Sequence, residues 1–277
     1  MNIAGHDVGV CSWSLQPKDL RDLVDKMQQL GLQHLQLALV DLVQLDDKRK
    51  FQELGHLRAG KIAFTGGMTG YPGEDYSTIA AIHRTGGFLP DDQWPLRKRL
   101  SQEAVKLARE LGMPLVATHV GFVPPPADAK YQVMVSRVRE IAAMCADQKL
   151  DLLMETGQER ADALLEFLHA LSAPNVHVNF DPANMILYGA GDPIDAIRTL
   201  GQHIRHVHVK DATPSTRPGQ DWGQEVTFGS GHVEPKRFLD ALHSVGYRGP
   251  LVIEREAGNQ RVADVRTAIE SLRSAVG

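Results

Sequence analysis

Apolar residues along this chain fall into two alternating patterns. Short apolar runs recur at 7–11, 34–39, 61–65, 114–119, 151–156, 176–181, 204–210 and 250–256. Between them lie helical patterns near 17–31, 45–58, 96–112, 129–149, 160–171, 192–203, 234–246 and 260–276. The short runs have the length of buried strands and the stretches between them that of amphipathic helices. Punctuation agrees: helix 17–31 opens on Pro17 and closes at Gly31, and helix 96–112 closes at Gly112 ahead of Pro114. Eight strand–helix units in strict alternation predict an α/β fold, a single (β/α)8 TIM barrel over 1–277. An open doubly wound sheet has the same alternation. It wants a Gly-rich turn after an early strand, and no G-x-G-x-x-G opens a helix here.

Side chains on a strand alternate faces. In 176–181, His177, Asn179 and Asp181 share one face, opposite Val176, Val178 and Phe180. In 204–210, His206, His208 and Lys210 lie opposite Val207 and Val209, and in 250–256 Glu254 and Glu256 lie opposite Leu251 and Ile253. Leu153 and Glu155 share a face in 151–156. A barrel strand has no solvent face, so the polar rows must point into the barrel. Glu155, Asp181, His208 and Glu254 therefore converge at the strand tips. Three carboxylates and one imidazole suit a divalent metal that prefers oxygen with some nitrogen. Four unrelated polar residues at strand ends would be the bland alternative, but four in consecutive strands, of ligand type and in phase, go beyond it.

Other residues follow from this placement. His206 and Asn179 lie one layer deeper and are expected to be buried and hydrogen-bonded, orienting the ligands above them. Lys210 is expected one layer above His208, at the rim, as a partner for a substrate oxyanion or as a solvated lysine. His119 ends the fourth strand and is expected to reach a substrate hydroxyl. Trp13, just past the first strand, is expected to wall a sugar ring or simply to pack. Segment 66–95 is too long for an ordinary connection and sits over the barrel mouth. It predicts a substrate cover contributing Tyr71, Glu74, Asp75 or His83. Segment 211–233 is a second long loop, with Arg217, Trp222 and Glu225 in reach. Its FGSGHV stretch suggests a phosphate loop but lacks the lysine and the strand context.

Composition narrows the function classes. A net charge of -4 and a pI near 6.3 give no electrostatic case for nucleic acid or an anionic membrane surface. No run of 18 apolar residues spans a bilayer. The N-terminus lacks a basic segment followed by an apolar stretch, and Cys11 and Cys145 are too few for a disulfide framework. A cytoplasmic location is expected, with both cysteines packing in the core. Self-association into a homo-oligomer is left open. A metal-dependent endonuclease on this fold would need more His and Asp ligands and a basic groove, against the net charge. A non-catalytic sugar-binding barrel would not need the intact ligand set.

At METG, NFDPANM, HVHVKD and the tail FGSGHVEPKRFLDALHSVGYRGPLVIEREAG the chain resembles the xylose isomerase-like TIM barrel superfamily, the sugar isomerase/epimerase and inosose dehydratase-like group. The resemblance covers essentially the whole chain. It implies one divalent ion on Glu155, Asp181, His208 and Glu254, manganese first, with magnesium, cobalt or zinc as alternatives. It also implies that Glu155 and Glu254 are the catalytic acid/base pair. Ketose 3-epimerases of the group carry a His three residues after the metal Asp and an Arg six after the metal His. Here those positions are Asn184 and Pro214, with Arg217 three residues further on. Asn184 and Arg217, with His119, Lys210 and Trp13, are the expected substrate contacts. The expected activity is sugar isomerisation or epimerisation through an enediolate. A lyase acting on a keto-sugar, keto-glycoside or inosose is the alternative. Both take a small carbohydrate.

Overall fold

A computed structural model describes residues 1–276. Eight strands form the barrel: β1 (His6–Cys11), β2 (His34–Ala38), β3 (Ala63–Thr69), β4 (Leu115–Thr118), β5 (Asp151–Glu155), β6 (Val176–Phe180), β7 (Ile204–Val209) and β8 (Leu251–Ile253). Each strand pairs in parallel with the next, and β8 pairs in parallel with β1, so the ring closes. At the opposite end from the strand tips, Asn2–Ile3 adds a short antiparallel pairing to β1.

Closure follows from the two-sided burial of every strand. The faces carrying Val8, Val10, Leu35, Val116, Leu152, Val178 and Val207 pack on the surrounding helices in one large core. Inside the ring, Leu115, Ala117 and Leu153 form a separate apolar plug with Met68. Above this plug lies a buried polar layer of Gln36, Thr65, Asn179 and His206, with Val252 and Cys11 beside it. Buried polar groups are retained when they are hydrogen-bonded, and this layer supports the site above it.

Three elements differ from the sequence expectation. Strand β3 runs to Thr69, four residues into the segment expected as loop. Gly66 and Gly67 look like a turn, yet they mark close approach: an added Cβ would come within 2.3 Å of Leu115 and of Leu39, respectively. The expected cover also holds a helix, Ile79–Thr85, whose N-terminus is capped by the Thr78 hydroxyl. Its irregular parts are therefore 70–78 and 86–93. The first helix starts at Leu20, capped by Asp19, and a 3-10 turn, Ser12–Leu15, precedes it and carries Trp13.

Segment 211–233 is not all loop either. Asp211–Thr213 and Gln224–Val226 form an antiparallel hairpin. The FGSGHV stretch does form an anion cradle, but its anion is internal. The buried Asp211 carboxylate accepts hydrogen bonds from the backbone N–H of Gly229 (3.0 Å), Gly231 (2.9 Å) and Val233 (3.0 Å). Glu225, expected near ligand, instead pairs with Arg255 at 2.7 Å and accepts from the backbone N–H of Glu256 at 2.9 Å. It fastens the hairpin to the segment that follows β8.

Candidate active site

The strand tips bring four side chains together. Glu155 ends β5, Asp181 follows β6, His208 lies in β7 and Glu254 follows β8. All four are buried, and each offers a ligand atom within 4.8 Å of the others. His208 Nδ1 lies 3.2 Å from Glu155 Oε1, 3.2 Å from Glu254 Oε2 and 3.6 Å from Asp181 Oδ2. Three atoms here have no hydrogen-bond partner: Glu155 Oε2, Asp181 Oδ2 and His208 Nδ1.

Local structure aims each group. Asp181 caps a short helix, Pro182–Tyr188, with Pro182 in the first turn. Its Oδ1 accepts the N–H of Asn184 at 2.9 Å, which leaves Oδ2 for the cluster. Thr156 locks the neighbouring tips: its hydroxyl accepts from the Asp181 N–H (2.8 Å) and donates to the Asp181 carbonyl (3.0 Å). Beneath the cluster, Gln36 Oε1 lies 2.6 Å from His208 Nε2. A carbonyl oxygen only accepts, so with the amide in this orientation Nε2 carries a proton and Nδ1 faces the carboxylates. Asn179 lies 3.2 Å from His208 Nε2 and 2.7 Å from His206 Nδ1, and His206 Nε2 meets Thr65 Oγ1 at 3.0 Å.

Electrostatics keep the acids ionised. Burial pushes the Glu155 carboxyl up, but its neighbours His119 and His208 more than offset this, and the group titrates below its ordinary range. Glu254 and Asp181 behave alike: burial raises them, and Lys210 leads the groups that bring them down. His206 is pushed well below its ordinary value, chiefly by burial, and stays neutral. Burial pushes the Cys11 thiol up to about 12, so it is protonated, 3.4 Å from Gln36 Oε1.

Lys210 is not a solvated rim lysine. It is 2 % exposed and donates to Glu254 Oε2 (2.9 Å), Glu256 Oε2 (2.6 Å) and Asn184 Oδ1 (3.3 Å). Burial works against its charge, but Glu254 and Glu256 prevail and hold it well above its ordinary value. Trp13 Nε1 donates to Glu254 Oε1 at 2.8 Å, and Asn184 Nδ2 donates to Glu155 Oε1 at 3.2 Å. His119 Nε2 lies 3.5 Å from Glu155 Oε2.

A cavity of about 680 Å³ opens over the cluster. Trp13, His119, Asn184 and Glu254 line its inner end. Tyr71 and Glu74 line it too, whereas Asp75 and His83 do not. Arg217 is also away from it: 63 % exposed, it pairs with Asp221 on the outside of the hairpin loop. Missed in the sequence were Gln36, a lone polar residue among leucines, and the wall residues Tyr76, Leu187 and Tyr188. Tyr188 lies on the short helix that Asp181 caps, and the D-P pair at its start was the available signal.

A closed parallel barrel with a buried carboxylate–imidazole centre at its strand tips defines the class. The particular family follows from comparison: residues 24–275 match the xylose isomerase-like TIM barrel family, and the chain belongs to it. A solved xylose isomerase domain protein from Planctomyces limnophilus shares 34% identity, with a TM-score of 0.86 and 91% of each chain covered. A D-psicose 3-epimerase from Clostridium cellulolyticum H10 shares the fold at 17% identity and TM-score 0.73, over 98% of this chain and 99% of its own. Inosose dehydratase from Clostridium botulinum is 21% identical over 47% of this chain and 48% of its own. The matches to curated relatives span less than half of those relatives' lengths. Among the described residues, no helix is long and apolar enough to cross a membrane.

Proposed function

We propose that the protein is a metal-dependent sugar isomerase or epimerase that moves a proton at the carbon next to a carbonyl. One observation carries the reading: three buried polar atoms with no hydrogen-bond partner, Glu155 Oε2, Asp181 Oδ2 and His208 Nδ1, belong to one four-residue cluster. Buried polar atoms left unpaired are costly, and a divalent cation satisfies all three. The donor set, three carboxylate oxygens and one imidazole nitrogen, fits manganese, magnesium or cobalt, with manganese the first expectation and zinc a further candidate. Glu155, Asp181, His208 and Glu254 would hold it, and as a Lewis acid it would favour ionisation next to a carbonyl.

The chain's own groups supply the rest. Glu155 and Glu254 flank the cluster from β5 and β8, and both are carboxylates at neutral pH. For epimerisation, one takes the proton from the carbon and the other delivers one to the opposite face of the same carbon. If instead the single base that took the proton returns it to the neighbouring carbon, while the hydroxyl proton passes to the former carbonyl oxygen, the result is isomerisation. Acid–base assistance of this kind contributes roughly 10²–10⁴-fold. Trp13 and Lys210 fix Glu254 through one oxygen each, and Asn184 fixes Glu155, so both bases are held in place. Arg217 drops out of the expected substrate contacts because of where it lies. His119, Asn184 and Trp13 remain as contacts at the cavity wall, and Lys210 acts through Glu254.

A lyase is the second reading, favoured by His119. It lines the cavity within 3.5 Å of Glu155 Oε2, where it can protonate a departing oxygen after the same C–H ionisation. A panel of ketoses, keto-sugars and inososes, incubated in D₂O with metal-loaded protein, tests both. Deuterium uptake without elimination supports isomerase or epimerase, and an enone product supports lyase. Turnover with neither solvent deuterium nor a primary isotope effect at that C–H bond would sink both.

A further inference from the structure

A second cavity adjoins the first at the barrel mouth. It measures about 410 Å³ and is built from residues 12–20, which follow β1, and 37–53, which run on from the end of β2. Trp13, Ala38 and Asp41 line both cavities, so the two meet there. Asp41 is exposed and Trp13 only half-buried, so the ridge between the cavities lies at the open mouth and not in the core. None of Glu155, Asp181, His208 and Glu254 lines the second cavity, so it stands apart from the reacting groups.

Trp13 marks the boundary. Its Nε1–H is spent on Glu254 Oε1 at 2.8 Å, and its ring meets the His208 ring edge-on with centroids 6.3 Å apart. The indole is thereby held in place. A fixed aromatic wall beside hydrogen-bonding groups suits a sugar ring, which packs its C–H face on the wall and turns its hydroxyls to the polar groups.

Those groups are present beyond Trp13. Gln16, Lys18, Asp19, Arg49 and Glu53 line the second cavity. Asp19 and Glu53 each spend one carboxylate oxygen on a backbone N–H, that of Asp22 and that of Leu20, both at 2.8 Å. Lys18 and Arg49 supply only donors, the carboxylates only acceptors, and Gln16 both. Hydroxyls donate and accept, so they can use the whole mixture. A phosphate or carboxylate would meet two cations but also three carboxylates, Asp19, Asp41 and Glu53. An apolar group would strip water from these charges and give nothing in return. The lining therefore fits an uncharged, hydroxyl-rich ring.

We infer that the substrate is a two-unit carbohydrate. A carbonyl-bearing sugar sits over the cluster, and one of its hydroxyls is linked to a second, uncharged sugar unit that lies past Trp13 against Gln16, Lys18 and Arg49. The carbonyl stays free on the first unit, as proton abstraction beside it requires. This rests on the function proposed above and names the substrate class for the same site.

The test is binding to the metal-loaded protein of fructose, of fructose 6-phosphate, and of the glucosyl-fructose isomers turanose, maltulose, leucrose and isomaltulose. These isomers differ only in which fructose hydroxyl carries the glucose, and all keep the fructose carbonyl. Sucrose, in which the linkage blocks that carbonyl, is the control. Calorimetry gives affinities, and saturation-transfer NMR shows which ligand protons touch protein. A few added hydrogen bonds and one stacked ring should make the best isomer bind about ten-fold or more tightly than fructose. Protons of both its rings should receive saturation, and fructose 6-phosphate should gain nothing over fructose. Arg49→Ala and Gln16→Ala, both at exposed positions where folding is not at stake, should each remove a large part of the advantage of the best isomer. No isomer tighter than fructose, an advantage that survives both substitutions, or fructose 6-phosphate binding more tightly than every isomer would overturn the inference. Sucrose matching the best isomer, or no C–H exchange in that isomer while its advantage holds, would count instead against the proposed function and leave the second subsite standing.

Discussion

Asp181 serves two structures at once, and two substitutions separate them. Its Oδ1 caps the helix Pro182–Tyr188, and its Oδ2 faces the cluster. Asp181→Asn keeps an acceptor oxygen for the Asn184 N–H but loses the carboxylate. Asp181→Ala loses both. Each removes the same negative charge from beside Lys210 and His208, so the difference between them isolates the cap. Loss of an N-cap costs about 1 kcal/mol, within a range of roughly 0.5–2. At about 2–4 °C per kcal/mol for a chain of this order of size, Asp181→Ala should melt a few degrees below Asp181→Asn in chelator. Metal should then act oppositely: at 100 times its Kd a bound ion adds about 2.7 kcal/mol to wild type and little to either variant. Calorimetric melts with chelator and with excess Mn²⁺ measure both effects. Equal melting temperatures of the two variants in chelator would refute the cap. Full metal stabilisation of either variant would refute the role of Oδ2.

Other expectations can be checked singly. Glu155→Gln and Glu254→Gln should each abolish turnover in a protein that still folds, because an amide cannot act as the base; near-normal turnover in either removes that residue from the pair. Lys210→Met leaves Glu254 and Asp181 buried without their cation and should cost about 3–5 kcal/mol in denaturant unfolding; a loss under 1 kcal/mol would contradict the buried ion pair. Glu159, which accepts the Val123 N–H at 2.7 Å, is pushed up to about 7 by burial. A carboxyl with a raised folded pKa takes up protons on folding, so its contribution is full below its unfolded value of 4.5 and is lost as pH rises through about 7. Glu159→Gln should therefore raise the melting temperature at pH 8 more than at pH 5, and an equal shift at both would contradict this.

Much of this was legible in the sequence, for a physical reason. Strands buried on both faces must carry apolar residues toward the helices, so the polar positions of 176–181, 204–210 and 250–256 could only point inward. That phase brought Glu155, Asp181, His208 and Glu254 to one place. Gln36 was hidden because its partner, His208, lies 172 positions away in sequence and meets it only when the barrel closes. Gly66 and Gly67 carry the same local signal as a turn, although tight packing demands them within a strand. Lys210 stood in phase with His208, yet the buried carboxylates that hold it, Asp181 and Glu254, come from other strands and meet it only when the barrel closes. Arg217 was drawn inward by its position after β7, while the local Asp221 holds it on the outside.

Most directly, the account rests on a cation held by these four residues. Titration of metal-stripped protein with Mn²⁺, read by loss of the free-ion electron paramagnetic resonance signal, measures it. The result expected is one site per chain, lost when Glu155, Asp181, His208 and Glu254 are replaced together by Gln, Asn, Gln and Gln in a protein that still folds. No saturable site in wild type, or a site that survives the fourfold replacement, would contradict it.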